Sequence, residues 1–532
     1  MATPSLAMIP SAYADSKVYS VLPNNGDGDF TFNRDSSATR IGQNGLIQTV
    51  GYFGSEEIIN GDFSNGGTNW SYSSSEWSFS SGLASCNGTQ AGLSYLNQSG
   101  AIVSGKTYKA TYEVVSISAG EIRIFVGGVS GIARTTTGIY NEYITAGSID
   151  FWLRGSSTFI GSIDNVSVKE VTGDQPRLNY DISNGVVQSC PSLLLEPAST
   201  NLITYSEDFS NGWSYFDSSI VANVLISPSG VLNASKFIEG NGSSIKRIVN
   251  STQSIVSGNS YAFSIFVKKG ERDFITLTNY TGTVDATTTF NLMNGTVTSG
   301  VGSIESFSND WFKCTRSFTA TATVTSQFIV QAFINNGSGI FYQGDGTSGI
   351  YIWGAQFEQL SYATSYIPNF GQSAGVTRAA ETCFGAGTAS TFNSTEGVLY
   401  AEISALSDDV INRRIAISGV ASTEFIYIYF SSTSTLSVRL QVGGVNEFTY
   451  NHTVDITQNN KVAFKWKLND LSMYVNGVEV AQSNSSPVPA VNSLVSINFS
   501  SFSSDNFYGN TKDIRVFNEA LTDLQLQNLT TL

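Results

Sequence analysis

LLLEPASTNLITYSEDFSNG, residues 193–212, decides how this chain is read. It ends in Asp208-Phe209-Ser210-Asn211-Gly212, and the same five residues stand earlier as Asp62-Phe63-Ser64-Asn65-Gly66. A tryptophan follows each copy, Trp70 after the first and Trp213 after the second. A second marker repeats at a similar distance: Ile102-Val-Ser-Gly-Lys-Thr-Tyr108 has its counterpart in Ile255-Val-Ser-Gly-Asn-Ser-Tyr261. Both pairs lie about 150 residues apart, a period too long for a solenoid and suited to two related domains in tandem. Each second marker runs into alternating sequence. Tyr108, Ala110, Tyr112 and Val114 are separated by polar residues, the period of a half-buried strand.

The composition agrees with strands throughout. Charged residues make up 13% of the 532, about half the usual share, while Gly and aromatic residues abound. Such a chain covers its surface with hydroxyl and amide groups and turns often. The 27 Lys and Arg stand against 42 Asp and Glu, a formal charge of −15, and the cations do not cluster. Nucleic acid is therefore an unsuitable partner, because phosphate binding depends on clustered cations. Sugar is not excluded. Cys86, Cys190, Cys314 and Cys383 lie far apart with no CxxC spacing, so neither zinc nor a redox pair is encoded; free, buried thiols are expected. No apolar run approaches a membrane span, and residues 1–10 lack a basic leader, so membrane insertion and secretion are not expected.

The length suits three or four domains. Residues 1–55 are expected to form a small N-terminal β unit. Within it Asp27 and Asp29 lack the spacing of an EF-hand loop and are read as turn residues. Residues 56–172 are the first repeat. A connector at 173–197 carries Pro176, Pro191 and Pro197, which limit regular pairing, and it could return to the N-terminal unit. Residues 198–372 are the second repeat, and 385–532 the last unit. There Asn476-Gly477 between Met473-Tyr-Val and Val478-Glu-Val marks a type I′ hairpin. Thr522 and Gln525 make a capping box, with Leu521 and Leu526 as hydrophobic staple, for the one expected helix.

These phrases resemble known families. The repeats are similar to carbohydrate-binding-module jelly rolls, which open with N-x-DF-x-N-G…W and close with Y-I-D-N-V-S-V. Residues 466–480 and 509–529 resemble the paired-strand hairpin and the final strand and helical turn of laminin-G/concanavalin-like sandwiches. Residues 29–50, LLLEPASTNLITYSEDFSNGW, and YIWGAQFEQLSYATSYIP with Val376-Thr-Arg-Ala are similar to tailed-bacteriophage virion proteins, variously minor structural proteins, head fibres or tail fibres. The fold expected is all-β: tandem jelly-roll sandwiches, a concanavalin A-like sandwich and a small N-terminal β anchor. The resemblance implies a protein made in the host cytoplasm and carried on the virion surface. It would meet capsid or tail proteins through its N-terminal unit and assemble as a homo-oligomer, a trimer by analogy.

Chemistry is sparse. His452 is the single histidine and no G-x-S-x-G elbow accompanies it, so a nucleophilic triad is not expected. A glycosidase needs only two carboxylates roughly 5–10 Å apart, and no stretch singles out such a pair. The expectation is a non-enzyme. In the family that the first repeat resembles, the opening loop and closing strand hold a structural calcium. Asn60, Asp62 and Asp164 occupy those positions, the alternative being that the acids merely cap turns. The second repeat has Trp353 where the first has Asp164, so calcium is expected in the first jelly roll only. Trp70, Trp77, Trp213 and Tyr215 sit in polar, Ser-rich segments and are candidates to stack on a pyranose ring. The competing reading is that β-sandwiches bury such rings beside the first strand. Trp77, within Ser-Ser-Ser-Glu-Trp-Ser, is expected to be the most exposed, whereas Trp311, Trp353 and Trp466 read as core. The function expected is display of glycan-binding modules by multivalent weak contacts. The alternatives are a purely structural head fibre or capsid decoration, and a polysaccharide-degrading tail protein.

Overall fold

The computed structural model describes residues 2–172, 174–280, 287–420, 423–501 and 505–532. Among these the helix Asp523–Thr530 and a 3-10 turn at Ser308–Asp310 are the only helical elements; the regular structure is otherwise strand, and the fold is all-β. No helix among the described residues is long and apolar enough to cross a membrane. The chain divides into two compact units. One gathers residues 1–50, 173–199 and 378–532; the other gathers 51–172 and 200–377.

The unit of residues 51–172 and 200–377 contains the duplication as two β-sandwiches, each with its own core. In the first, a six-stranded sheet built on Thr107–Ala119 and Ile160–Thr172 faces a five-stranded sheet built on Phe151–Gly155 and Ser94–Gln98. In the second, Ser260–Lys269 lies between Gly349–Glu358 and Trp311–Thr319 in one six-stranded sheet, and Val324–Asn335 is central to the other. The repeated five residues have the same local structure twice. Asp62 Oδ1 accepts the Ser64 N–H at 3.2 Å, and Asp208 Oδ1 accepts the Ser210 N–H at 3.0 Å, each closing an Asx turn. Gly66 and Gly212 end the turn at positive φ. Phe63 and Phe209 then enter their cores, each with its ring 5.3 Å from the following tryptophan, Trp70 or Trp213. The second marker also recurs: the Tyr108 hydroxyl accepts the Val103 N–H at 2.9 Å, and the Tyr261 hydroxyl accepts that of Val256 at 2.8 Å. Both markers therefore fold the same way in the two sandwiches.

The other unit is one sandwich assembled from three separate stretches. Its larger sheet runs Arg177–Asn179, Ser192–Leu195, Gly509–Phe517, Glu396–Ala405, Asn460–Lys467, Leu471–Val475, Val478–Ser483. The strand Gly509–Phe517 carries two short strands on one flank: Leu193–Leu195 pairs with Gly509–Thr511, and Leu6–Met8 pairs with Ile514–Val516. These cover the backbone of what would otherwise be a bare edge. The facing sheet runs Val445–Thr453, Thr435–Val442, Phe425–Ser432, Arg413–Gly419, Leu494–Asn498. Leu6, Met8, Phe30, Phe32, Leu193 and Leu195 share a core with Leu399, Ile417, Ile428 and Trp466. The expected separate anchor over 1–55 is thus corrected: its first 50 residues complete the C-terminal sandwich, and 51–55 belong with the first repeat. The connector also pairs regularly, because Pro176 and Pro191 stand just outside their strands, where no ladder N–H is needed. At Asn476-Gly477 both φ angles are positive, 50° and 85°, as a type I′ turn needs. Thr522 and Gln525 exchange both bonds of the capping box. Cys86, Cys314 and Cys383 are buried free thiols, but Cys190 is exposed.

A buried ionic cluster ties the three stretches of this unit together. Glu381 receives Arg34 Nη1 at 2.9 Å, Arg177 Nε at 2.8 Å and Arg177 Nη2, while its Oε2 also accepts the Glu196 N–H at 2.9 Å. Glu196 binds Arg177 at 2.7 Å and Arg378 at 2.8 Å. Asp174 accepts the backbone N–H groups of Arg34 and Asp35 at 2.7 and 2.8 Å. Burial alone would push the Glu381 carboxyl up, but the charges of Arg177 and Arg34 outweigh it and hold it below the ordinary Glu value. Three guanidiniums against three carboxylates leave the cluster neutral, the condition under which buried charge is tolerated.

Candidate functional site

The side chains expected to stack on sugar are mostly interior. Trp70 is 6% exposed and donates Nε1 to the Asn60 carbonyl at 3.0 Å; Trp213, also 6% exposed, donates to that of Tyr205 at 3.2 Å. Trp77 is 2% exposed, with Nε1 donating to Ser94 Oγ at 2.6 Å, and Ser94 in turn donates to Glu76 at 2.7 Å. These three are corrected from platform to core. The Ser-rich surroundings of Trp77 misled because a strand alternates: in Trp77–Ser80 the serines face out and the indole faces in. Tyr215 is half-exposed on Ser214–Phe216, its hydroxyl donating to the Phe209 carbonyl.

The residues expected to hold calcium are engaged in local hydrogen bonds. Asn60 donates Nδ2 to the carbonyls of Gly66 at 2.8 Å and Thr68 at 2.9 Å, and its Oδ1 accepts the Asn65 N–H at 3.0 Å. Its amide therefore holds its own loop. Asp62 caps Ser64, and Asp164 accepts the Asn165 N–H at 2.7 Å. Burial raises the Asp164 pKa, with the charges of Glu113 and Asp62 adding to it. Asp62 and Asp164 are the two carboxylates of this set, and the remainder of calcium's roughly six to eight oxygens would come from backbone carbonyls and water. Among the described residues no group of three His, Cys, Asp or Glu side chains could hold a metal.

Better-formed chemistry lies on the outer face of the five-stranded sheet. Registers place its side chains in rows. One row runs Asn498, Ala416, Tyr427, Arg439, Thr449; a second runs Ser496, Ser418, Phe425, Gln441; a third runs Arg414, Tyr429, Ser437, Asn451. The central strand FIYIYF is apolar in both phases, so Ile426, Ile428 and Phe430 fill the sandwich while Phe425, Tyr427 and Tyr429, each only 4% exposed, lie on the other face. That double-sided run was the available signal, and sequence reasoning missed it. Phe425 and Tyr427 stack at 4.8 Å with a 14° interplanar angle. Arg414 lies 5.5 Å from the ring centres of both Tyr427 and Tyr429, and Arg439 lies 5.5 Å from that of Tyr429. Burial pushes the Tyr427 hydroxyl up to about 12, against the pull of Arg414 and Arg439, so it stays a neutral donor at physiological pH.

Where this face meets Leu494–Asn498, a groove of 570 Å³ opens, lined by Thr382, Phe384, Ser418, Val420, Asn498 and Asn506 among others. Small-ligand pockets occupy roughly 300–1,000 Å³. Alternation in Thr382–Phe384 sends Cys383 into the core at 2% exposure and leaves Phe384 38% exposed. Asn498 Nδ2 donates to Ser418 Oγ at 3.2 Å and Ser496 Oγ at 3.0 Å, while its Oδ1 accepts the Gly385 N–H at 2.8 Å. A fixed amide and two oriented hydroxyls thus stand near an accessible phenyl ring. That combination can stack on an apolar ring face while hydrogen-bonding its rim.

Residues 404–527 match a family model described as the concanavalin A-like lectin/glucanases superfamily. No curated protein matches the chain. Among solved structures, a carbohydrate-binding module (CBM40) of the Ruminococcus gnavus IT-sialidase bound to alpha2,3 sialyllactose is 15% identical, with a TM-score of 0.24, covering 27% of this chain and 87% of that one. The tandem CBM22 domains of Paenibacillus barcinonensis Xyn10C are 11% identical at a TM-score of 0.19, covering 58% and 98%. Trypanosoma rangeli sialidase in complex with the inhibitor DANA is 9% identical at 0.24, covering 94% and 98%. At these scores nothing about ligand or chemistry passes from those proteins to this one.

Proposed function

We propose that this chain is a non-enzymatic surface protein of a tailed-bacteriophage virion, a head or tail fibre, whose C-terminal sandwich binds glycans. The observation that carries the glycan reading is the groove beside Phe384, with its amide and hydroxyls, on a domain matching the lectin/glucanase family model. The virion reading is supported by the phrases of residues 29–50, 193–213 and 351–368. Display of many copies, as homo-oligomers and as a trimer by analogy, lets weak sites act together through effective concentration. The two repeats contribute reach and spacing, because Trp70, Trp77 and Trp213 are spent on their cores.

Binding of the full chain to a glycan array, followed by titration of the best ligand, tests the first part. Phe384→Ala should weaken binding about tenfold or more, the share of one stacked aromatic anchor. A chain that binds no glycan at millimolar concentration overturns it. Labelled antibody on intact particles tests the virion part, and absence from the particle would sink it. One observation favours the enzymatic alternative enough to be checked. Glu402 and Asp513 stand opposite each other in register, and Asp513 has a raised pKa through burial, against its Arg515 partner. Release of reducing ends from a bound polysaccharide, abolished by Asp513→Asn, would establish that alternative.

A further inference from the structure

Arg414 and Arg439 give the same sheet face a charge at odds with the rest of the chain. The protein carries a formal −15, yet these two guanidiniums flank the ring of Tyr429, each 5.5 Å from its centre. Their compensation is thin. Arg414 meets Asp505 at 3.2 Å, a carboxylate whose side chain is 32% exposed and so well hydrated. Arg439 donates to the Tyr429 hydroxyl at 3.3 Å and has no ion pair among the described residues. Each leaves its buried Nε without an acceptor. The rings beneath hold both side chains against the sheet, which lowers the entropy lost when a ligand fixes them.

The groove lies on the same sheet face as this pair. Arg414 and Ser418 project from the same face of one strand four residues apart, roughly 13 Å, and the Arg414 backbone pairs with that of Asn506, which lines the groove. A ligand filling the groove beside Phe384 and extending along the sheet would bring its next rings over the guanidiniums. A neutral sugar leaves the Arg439 charge without a counter-charge, whereas a carboxylate meets a planar fork of N–H donors suited to its two oxygens.

We propose that this face recognises an acidic oligosaccharide, with carboxylate-bearing sugar units held by Arg439 and Arg414 and a neighbouring ring held in the Phe384 groove. This rests on the glycan reading above and adds the ligand class to it. The bound carboxylate would bring the local charge near balance, so affinity should fall as salt rises.

The experiment uses the full chain and two probes on one sugar skeleton, trigalacturonate and its uncharged methyl ester, with calorimetric titration at low and physiological salt. The acid should bind roughly ten- to hundredfold more tightly than the ester, the worth of a hydrogen bond to a charged group. Arg439→Gln should bring the acid down to the ester's affinity, and Arg439→Lys should recover only part, because an ammonium lacks the fork. An unchanged melting temperature separates lost recognition from lost folding; should Arg439→Gln unfold the domain, Arg414→Gln reads the same comparison. Equal binding of acid and ester, both weakened by Phe384→Ala, overturns the acidic-ligand proposal and leaves the glycan reading standing. No binding of either probe, together with an empty glycan array, overturns both.

Discussion

Neutralising Glu381 should unfold the C-terminal sandwich far more readily than any surface change. In Glu381→Gln the side chain keeps its shape but loses its charge, leaving Arg34, Arg177 and Arg378 facing Glu196 and Asp174 with one uncompensated cation. The new amide also turns its NH2 either toward Arg34 and Arg177 or toward Arg177 and the Glu196 N–H, setting donors against donors at two contacts the carboxylate accepted. The side chains of Arg34, Arg177, Arg378, Glu196 and Glu381 are at most 4% exposed, so water does not enter to compensate. Removing one partner of a buried ionic group costs about 3–5 kcal/mol. At about 2–4 °C per kcal/mol for a domain of this size, the midpoint should fall by roughly 6–20 °C. Differential scanning calorimetry of the full chain provides the assay. Lys467→Gln, which breaks the exposed pair with Glu396 at 2.9 Å, is the control and should leave the midpoint nearly unchanged. A Glu381→Gln shift as small as the control's would refute the claim that charge compensation holds this unit together.

The two units should respond to pH with opposite sign. Glu381 is held below its ordinary value of 4.5, so its contribution is complete above about 4.5 and is lost as the pH falls through its lower folded value. In the second repeat, burial pushes the Glu207 carboxyl up to about 7, against the hydrogen bond from Tyr366 and the charge of Arg134. The folded state there holds the proton more tightly, so stability should decline as pH rises from about 4.5 to 7, and Glu207→Gln should flatten that slope in thermal melts. Trp77→Ala should destabilise its unit by about 3–5 kcal/mol without changing glycan affinity, measured by melting and titration in parallel. A loss of affinity in the folded variant would return Trp77 to the binding surface. Calcium at about 1 mM should leave the melting midpoint of the first repeat nearly unchanged, since Asn60 and Asp62 already hold their own loop; a clear rise lost in Asp164→Asn would show a complete site.

Local signals were legible and long-range ones were not. Asn476-Gly477, Thr522 with Gln525, and the two Asp-Phe-Ser-Asn-Gly turns are written within a few residues, because positive φ, helix caps and Asx bonds are settled by neighbours in the chain. Alternation likewise identified strands and, through the repeated markers, the duplication. Which phase of a strand faces the core is weaker information in polar segments: Trp77 is buried because of what lies opposite it. Phe425, Tyr427 and Tyr429 were overlooked because a strand apolar on both faces has no polar phase to announce the outer one.

Only the tertiary structure decided that residues 2–50 complete a sandwich begun at 378. Leu6–Met8 finds its partner in Ile514–Val516 across nearly the whole chain, and Arg34 finds Glu381. Nothing in the sequence near Leu6 or Arg34 names those partners. A short strand takes whichever edge the rest of the fold leaves free, and a charge is buried only where the closed structure brings its opposite within reach.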